Sequence, residues 1–229
     1  MHRLKLLSAG AVKRGVTRVV AAFETESGQA VDIEFSQVPV LRRRLADGEC
    51  PDVVVATPAV LDEAQGRGQI DSASRGFVGR SRVGIVVHAD APDCTVADVP
   101  AFKAMLMAAS HVVRNDASSG LYIEKLLDRL DLTAAIGGRL AVVTSGAAIM
   151  QFVADHPPAA VGLAQISELM VMMEKSCRVR LAAPLPDEIQ NLTHYDVAAV
   201  RGAAAAATAL AQRLASPEAK NIFAETGIS

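Results

Sequence analysis

At 229 residues, 51% hydrophobic and 21% charged, the chain is too apolar for a disordered segment and long enough for two α/β lobes without a disulfide or metal staple. Lys and Arg number 23 against 25 Asp and Glu, a net charge of −2, so no global basic field draws in nucleic acid or an anionic membrane. With 3% aromatic residues and no Trp, stacking platforms for single-stranded nucleic acid are not expected either.

The hydrophobic pattern alternates strand and helix from the start. Leu4–Leu7 reads as a strand. Val12, Val16, Val19, Val20 and Phe23 share one face of a helix, which Gly28 stops. Val31, Ile33 and Phe35 alternate with Asp32 and Glu34, as a half-buried strand does. A short helix around Val40–Ala46 leads to the apolar strand Asp52–Ala56, and Pro58 opens the next helix. Val83–His88 is another apolar strand, followed by the turn residues Asp90, Pro92 and Asp93. Helix Val99–Ala109, strand His111–Arg114 and an amphipathic helix marked by Ile123, Leu126, Leu127 and Leu130 come next. Strand Leu140–Val143, helix Ile149–Val153, strand Val161–Ala164, helix Glu168–Met173 and strand Val179–Ala183 repeat the unit. Strand Tyr195–Val200 and helices Ala203–Leu214 and Pro217–Thr226 close the chain.

Repeated βα units imply an α/β fold of mostly parallel sheets flanked by helices. Breaks are read near Gly76–Gly79 and at Pro184-Leu185-Pro186-Asp187-Glu188. Two crossings divide the chain into a discontinuous first lobe, 1–79 plus 189–229, and a second lobe, 80–188, with the hinge near 79–83 and 184–193.

Cys50, Cys94 and Cys177 are odd in number and widely spaced, and read as small apolar residues of a reducing compartment. His2, His88, His111, His156 and His194 are scattered, so no metal site and no cofactor is expected. Met1-His2-Arg3 runs straight into Leu4-Lys5-Leu6-Leu7, and no stretch of about 18 uncharged apolar residues occurs, so neither a signal peptide nor membrane insertion is read. As it stands, the chain is expected in the cytoplasm; a start trimmed to a mature protein would place it in the periplasm.

Doubly wound sheets take ligands at the carboxyl ends of strands, where helices begin. Four junctions here carry small or hydroxyl residues: Ser8-Ala9-Gly10-Ala11, Thr57, Asn115 through Ser118-Ser119-Gly120, and Thr144-Ser145-Gly146. A helix start leaves N–H groups unpaired and carries partial positive charge, and small residues let an anion reach them. Each Ser or Thr is equally an ordinary N-cap. Lys13, Arg80, Arg82 and Arg114 are nearby cations; Arg80-Ser81-Arg82 could clamp a carboxylate. Tyr122 follows in the first turn after Ser119-Gly120. No GxGxxG, P-loop or GxSxG element occurs.

These features together resemble the type II periplasmic binding proteins, and within them the molybdate-binding branch. The resemblance is carried by Leu6-Leu7-Ser8-Ala9-Gly10-Ala11-Val12, by Asp52-Val53-Val54-Val55-Ala56-Thr57, by Gly79-Arg80-Ser81-Arg82-Val83-Gly84, and by Leu214-Ala215-Ser216-Pro217-Glu218-Ala219-Lys220 with Phe223 and Gly227. Gln165 stands in Gly162-Leu163-Ala164-Gln165, where the family places a Tyr, and Ser118-Ser119-Gly120 replaces a proline-rich segment. The chain is similar to a signal-less subgroup whose relatives include an isomerase of aconitate. The resemblance implies a two-lobed, Venus-flytrap fold that closes an interlobe cleft on a small anion, an oxyanion such as molybdate or a small carboxylate, with an ABC transporter as partner if the chain is exported. Gln190 and Asn191 could add amide contacts from the hinge. The alternative is a cofactor-free isomerase of a di- or tricarboxylic acid, for which Lys13, Tyr122 and Glu168 are the candidate proton-transfer groups.

Overall fold

A computed structural model describes residues 3–229; Met1, His2 and the Ser118 side chain lie outside the described residues. The chain divides into two compact units, Met1–Arg80 with Thr193–Ser229, and Ser81–Leu192.

The first unit is built on strands β1 (Leu4–Ala9), β2 (Val31–Ser36) and β3 (Val53–Ala56), with β9 (Leu192–Ala199) returning from the far end of the chain. β1 pairs in parallel with both β2 and β3, and β9 runs antiparallel against β3. Period-two alternation explains why both faces of this sheet are apolar. Leu4 and Leu6 of β1 and Val53 and Val55 of β3 face a core shared with helices α1 (Lys13–Ser27), α9 (Ala205–Leu214) and α10 (Pro217–Ala224). Leu7, Val54 and Ala56 face the other core, under α2 (Val38–Ala46) and α3 (Pro58–Gly66).

The second unit repeats the plan. Strands β5 (His111–Asn115), β6 (Leu140–Val143) and β7 (Ala160–Gln165) are parallel, with β5 between the other two. The Val83–Val87 part of β4 (Gly76–His88) runs antiparallel to β7, and β8 (Val179–Pro184) runs antiparallel to β4 on its other edge. Val83, Ile85 and Val87 point to a core with α4 (Val99–Ala108), α5 (Ser118–Arg129) and the one-turn α6 (Thr133–Ile136). Val86 points to a second core with α7 (Gly146–Asp155) and α8 (Ile166–Glu174). Each unit thus keeps a parallel nucleus closed by antiparallel strands.

Both breaks read from sequence are ordered structure. Gly76 and Gly79 lie inside β4 because close packing, not a turn, requires them: a Cβ at Gly76 would come 2.4 Å from Ala215 Cβ, and one at Gly79 2.5 Å from Ile228 Cγ2. After Pro184 the chain makes a short 3-10 turn, Asp187–Ile189, and buries Leu185 and Ile189 in the second unit's core.

Helix α1 shows how tightly the first unit closes. Gly15 is buried there, and a Cβ on it would sit 2.1 Å from Cδ1 of Phe223, so the α10 ring lies directly on the α1 backbone. Phe223 is among the largest fully buried side chains. Phe223→Ala should therefore lower unfolding stability by about 3–5 kcal/mol, with the m-value unchanged, measured by urea denaturation.

Candidate functional site

In the first unit, the parallel strands end side by side. Ser8 is in register with Val55, two residues before Thr57, and Ala9 with Ser36. Ser8 is fully buried, and its hydroxyl donates to the Ala9 carbonyl at 3.2 Å. Ala9 then extends into a 3-10 turn, Gly10–Val12, before α1 begins, so the exposed Gly10 and half-buried Ala11 present backbone at the sheet's carboxyl edge. Thr57 is the N-cap of α3 by backbone geometry, yet its side chain makes no capping bond. Its hydroxyl is therefore not spent on the helix, contrary to the ordinary role of such a residue. Ser36 is a third hydroxyl on this edge that the sequence reading passed over. The available signal was that it ends the Val31–Phe35 alternation as Ser8 and Thr57 end or follow theirs. Lys13 places its ammonium 5.2 Å from the Phe35 ring centroid, a cation–π contact.

In the second unit, the carboxyl ends of β5, β6 and β7 gather the remaining candidates. Asn115 is buried, and its Oδ1 accepts from Ala117 N at 3.2 Å, turning the chain sharply into α5. Asp116 N donates to Val143 O at 3.0 Å, which ties this loop to the end of β6. Gly120 is obligatory: a Cβ there would fall 1.8 Å from the Asn115 carbonyl oxygen and 2.4 Å from Oδ1. Ser119 is buried in the first turn of α5. Ser145 behaves as an ordinary N-cap of α7, accepting from Ala148 N at 3.2 Å, with Gly146 buried behind it. Gln165 closes β7, where Val83 of β4 is its partner, and Ser81 Oγ donates to Gln165 Oε1 at 3.0 Å. Ser81 thus reaches the strand-end group from within a strand and not from a helix start.

The remaining candidates lie in the second unit, and among them the Tyr122 and Gln190 side chains are engaged by backbone. The Tyr122 hydroxyl donates to the Ile189 carbonyl at 2.8 Å, pinning α5 to the turn after β8. Gln190 bridges backbone: its Oε1 accepts from Val83 N at 2.9 Å, while its Nε2 donates to Val83 O and Leu185 O at 3.1 Å each. Asn191 N donates to the same Gln190 Oε1 at 2.9 Å. Arg82 faces Asp187 at 3.8 Å, an exposed pair of little energetic consequence. Arg114 is the buried cation: it pairs with Glu124 at 2.8 Å and donates to the Asn115 carbonyl at 3.0 Å, bracing the loop from beneath. Glu168, on the first turn of α8, is held above the usual carboxyl range by burial.

All three thiols are free; Cys50 and Cys94 are exposed and Cys177 is half-buried. No group of three or more His, Cys, Asp or Glu side chains could hold a metal ion among the described residues. No helix among them is long and apolar enough to cross a membrane.

Because the α5 start depends on the absence of a side chain at 120, Gly120→Ala must push the helix off Asn115. The expected loss is about 1–3 kcal/mol of stability by thermal denaturation, typical of overpacking, with amide chemical-shift changes centred on residues 115–121.

Comparison with known proteins fits this geometry. The model of the bacterial extracellular solute-binding protein family matches residues 4–229. An aconitate isomerase from Pseudomonas sp. is 29% identical over 233 residues, covering 98% of this chain and 87% of the relative. Among solved structures, a substrate-binding domain ascribed to a molybdenum ABC transporter from Clostridium difficile superposes with a TM-score of 0.79 at 14% identity, covering 98% of this chain and 97% of that one. The periplasmic molybdate-binding protein of Azotobacter vinelandii does so with a TM-score of 0.72 at 14% identity, covering 99% of each chain. The chain belongs to the bacterial extracellular solute-binding protein family and has the type II periplasmic-binding-protein fold.

Proposed function

We propose that this protein captures a small di- or tricarboxylate anion at the carboxyl ends of its parallel strands. The observation that carries the reading is the chemistry gathered there. In the first unit the hydroxyls of Ser8, Ser36 and Thr57 stand at strand ends beside helix starts, and in the second unit Ser119 and Gln165 do so. Strand ends of this kind recognise oxyanions through directed N–H and O–H donors, without a cluster of cations. Membership of a solute-binding family supports reversible capture of a small ligand. The full-length similarity to an aconitate isomerase supports a carboxylate over a tetrahedral oxyanion.

A thermal-shift panel of citrate, cis-aconitate, trans-aconitate, molybdate, tungstate and sulfate tests this. At 100 times its Kd a ligand stabilises the native state by about 2.7 kcal/mol. A carboxylate should give the largest shift. A shift with molybdate or tungstate alone would replace the carboxylate reading with an oxyanion one.

The same relative favours a second reading, isomerisation of a bound tricarboxylate. That reaction moves one proton between two carbons as the double bond shifts, with no net redox change, and needs one group that accepts and returns the proton. Of the three candidates, Tyr122 is tied to Ile189 O and Lys13 lies over Phe35, whereas the Glu168 carboxyl is shifted toward neutrality. Incubation with cis- and trans-aconitate in D₂O, read by NMR, decides between capture and catalysis. Deuterium entering the substrate faster than in a protein-free control, and more slowly with Glu168→Gln, supports catalysis. A flat time course with a tightly bound aconitate leaves capture alone.

A further inference from the structure

A buried carboxyl oxygen without a partner is costly, and the second unit keeps one on the half-buried Glu168. Glu168 is the third residue of α8, a position from which Glu often reaches back to the N-cap N–H of its own helix. Its Oε2 makes no such bond: the atom is buried and has no hydrogen-bond partner among the described residues. The carboxyl lies instead on the first residue of α7, where a Cβ at Gly146 would come within 2.0 Å of Oε2 and 2.4 Å of Cδ. The neighbouring Ser167 is only 5% exposed, and its Oγ also lacks a partner among the described residues. Two orphaned polar atoms therefore occupy the first turn of α8, and the Glu168 one lies on a helix start that carries unpaired N–H groups. Ser145 Oγ engages only one of these, Ala148 N.

Of the elements packed against α8, β4, whose Gly84 lies against Ile166, carries Arg80 over the Phe77 ring, Arg82 facing Asp187 at 3.8 Å with its buried Nε unpartnered among the described residues, and His88, whose Nδ1 accepts from Asp90 N. β7 contributes none. α7 carries Asp155 at its far end, which accepts from Gln151. β8 carries Arg180, which donates to the Ala91 and Pro92 carbonyls and pairs with Asp93. On α8 itself the other carboxyl is Glu174, at the last residue. Burial alone accounts for the upward displacement of the Glu168 pKa.

We propose that Glu168 is a proton-linked specificity residue for anions held at the start of α7: neutral, it shares that helix start with a bound oxyanion and donates a hydrogen bond to it; ionised, it repels the oxyanion. The inference rests on the reading that this protein captures a small carboxylate. Binding then takes up one proton at Glu168. Since the protonated form favours the complex, affinity is highest at low pH. Above the pKa of Glu168 it falls by a factor of about ten per pH unit beyond any fall shown by Glu168→Gln, which cannot titrate.

Two measurements on the full chain test it. Carbon-detected NMR titration of the ligand-free protein should show one carboxyl titrating above the ordinary Glu value of about 4.3, absent in Glu168→Gln and returned toward that value in Gly146→Ala, whose Cβ displaces the carboxyl. If every carboxyl of the wild type titrates normally, the assignment is overturned whatever the variants do. Calorimetry with citrate, cis-aconitate and sulfate, in buffers of different ionisation enthalpy, then counts protons; titration of the probe itself is common to both proteins. The wild type should take up up to one proton more than Glu168→Gln or, should that variant not fold, than Glu168→Asp, whose shorter carboxyl withdraws from Gly146. Binding with equal proton uptake overturns the role of Glu168 and leaves capture standing. Failure of the wild type to bind any of the three probes overturns both.

Discussion

The contact between the Gly120 backbone and the Asn115 carbonyl is the constraint on which the second unit's chemistry depends. It lets α5 begin within a few residues of the end of β5, with no room for a longer loop. Three further bonds hold the same point: Ala117 N to Asn115 Oδ1, Asp116 N to Val143 O, and Arg114 to Asn115 O. Together they link the end of β5, the end of β6 and the start of α5 into one rigid piece. A donor array of this kind is useful only if it does not reorganise when a ligand arrives, and backbone held by four independent contacts meets that condition.

Charge is used sparingly around these strand ends. Burying a guanidinium is expensive, and Arg114 meets a half-exposed carboxylate through Nη2 and a carbonyl through Nη1, while its buried Nε has no partner among the described residues. With these bonds made, it acts as a brace. Ser81, Ser119 and Gln165 are neutral, and Ser81 and Gln165 hold each other. A net charge of −2 does not by itself oppose binding of a small anion, because oriented local dipoles attract anions where no long-range field does.

Much of this was legible in the sequence, for a definable reason. The strands Leu4–Leu7, Val31–Phe35, Asp52–Ala56 and Val83–His88 declare themselves through residues whose neighbours lie two positions away, and local periodicity reports local geometry. The hydroxyl-bearing strand ends followed from the same logic. What could not be read is set by distant partners. Gly76 and Gly79 stand just before the division between the units after Arg80, but nothing nearby in sequence reveals that Ala215 and Ile228 press on them. Pro184–Glu188 looks like a free linker, but Leu185 and Ile189 anchor it in a core and Gln190 stitches it to Val83. Tyr122 stands free after Ser119-Gly120 in the sequence, because nothing nearby reveals the Ile189 carbonyl that its hydroxyl engages. Ser36 went unread because Gln37 and Val38, not a glycine or a run of small residues, follow it.

Two glycines at two helix starts in the second unit show how the same residue type yields different chemistry. Gly120 makes room for a backbone carbonyl, a group that never titrates, so the α5 start presents the same donors at every pH. Gly146 makes room for the Glu168 carboxyl, a group whose charge depends on pH. An ionised carboxylate on a helix start is an internal competitor for any anion there, because it draws on the same dipole and the same N–H groups. A neutral one is not a competitor, and its hydroxyl adds a donor. The cost of keeping one carboxyl oxygen out of water falls on Oε2, which has no partner among the described residues. On the proposed reading, protonation relieves part of this cost, so the proton linkage at Glu168 and the tolerance of an anion at this helix start have a single physical origin.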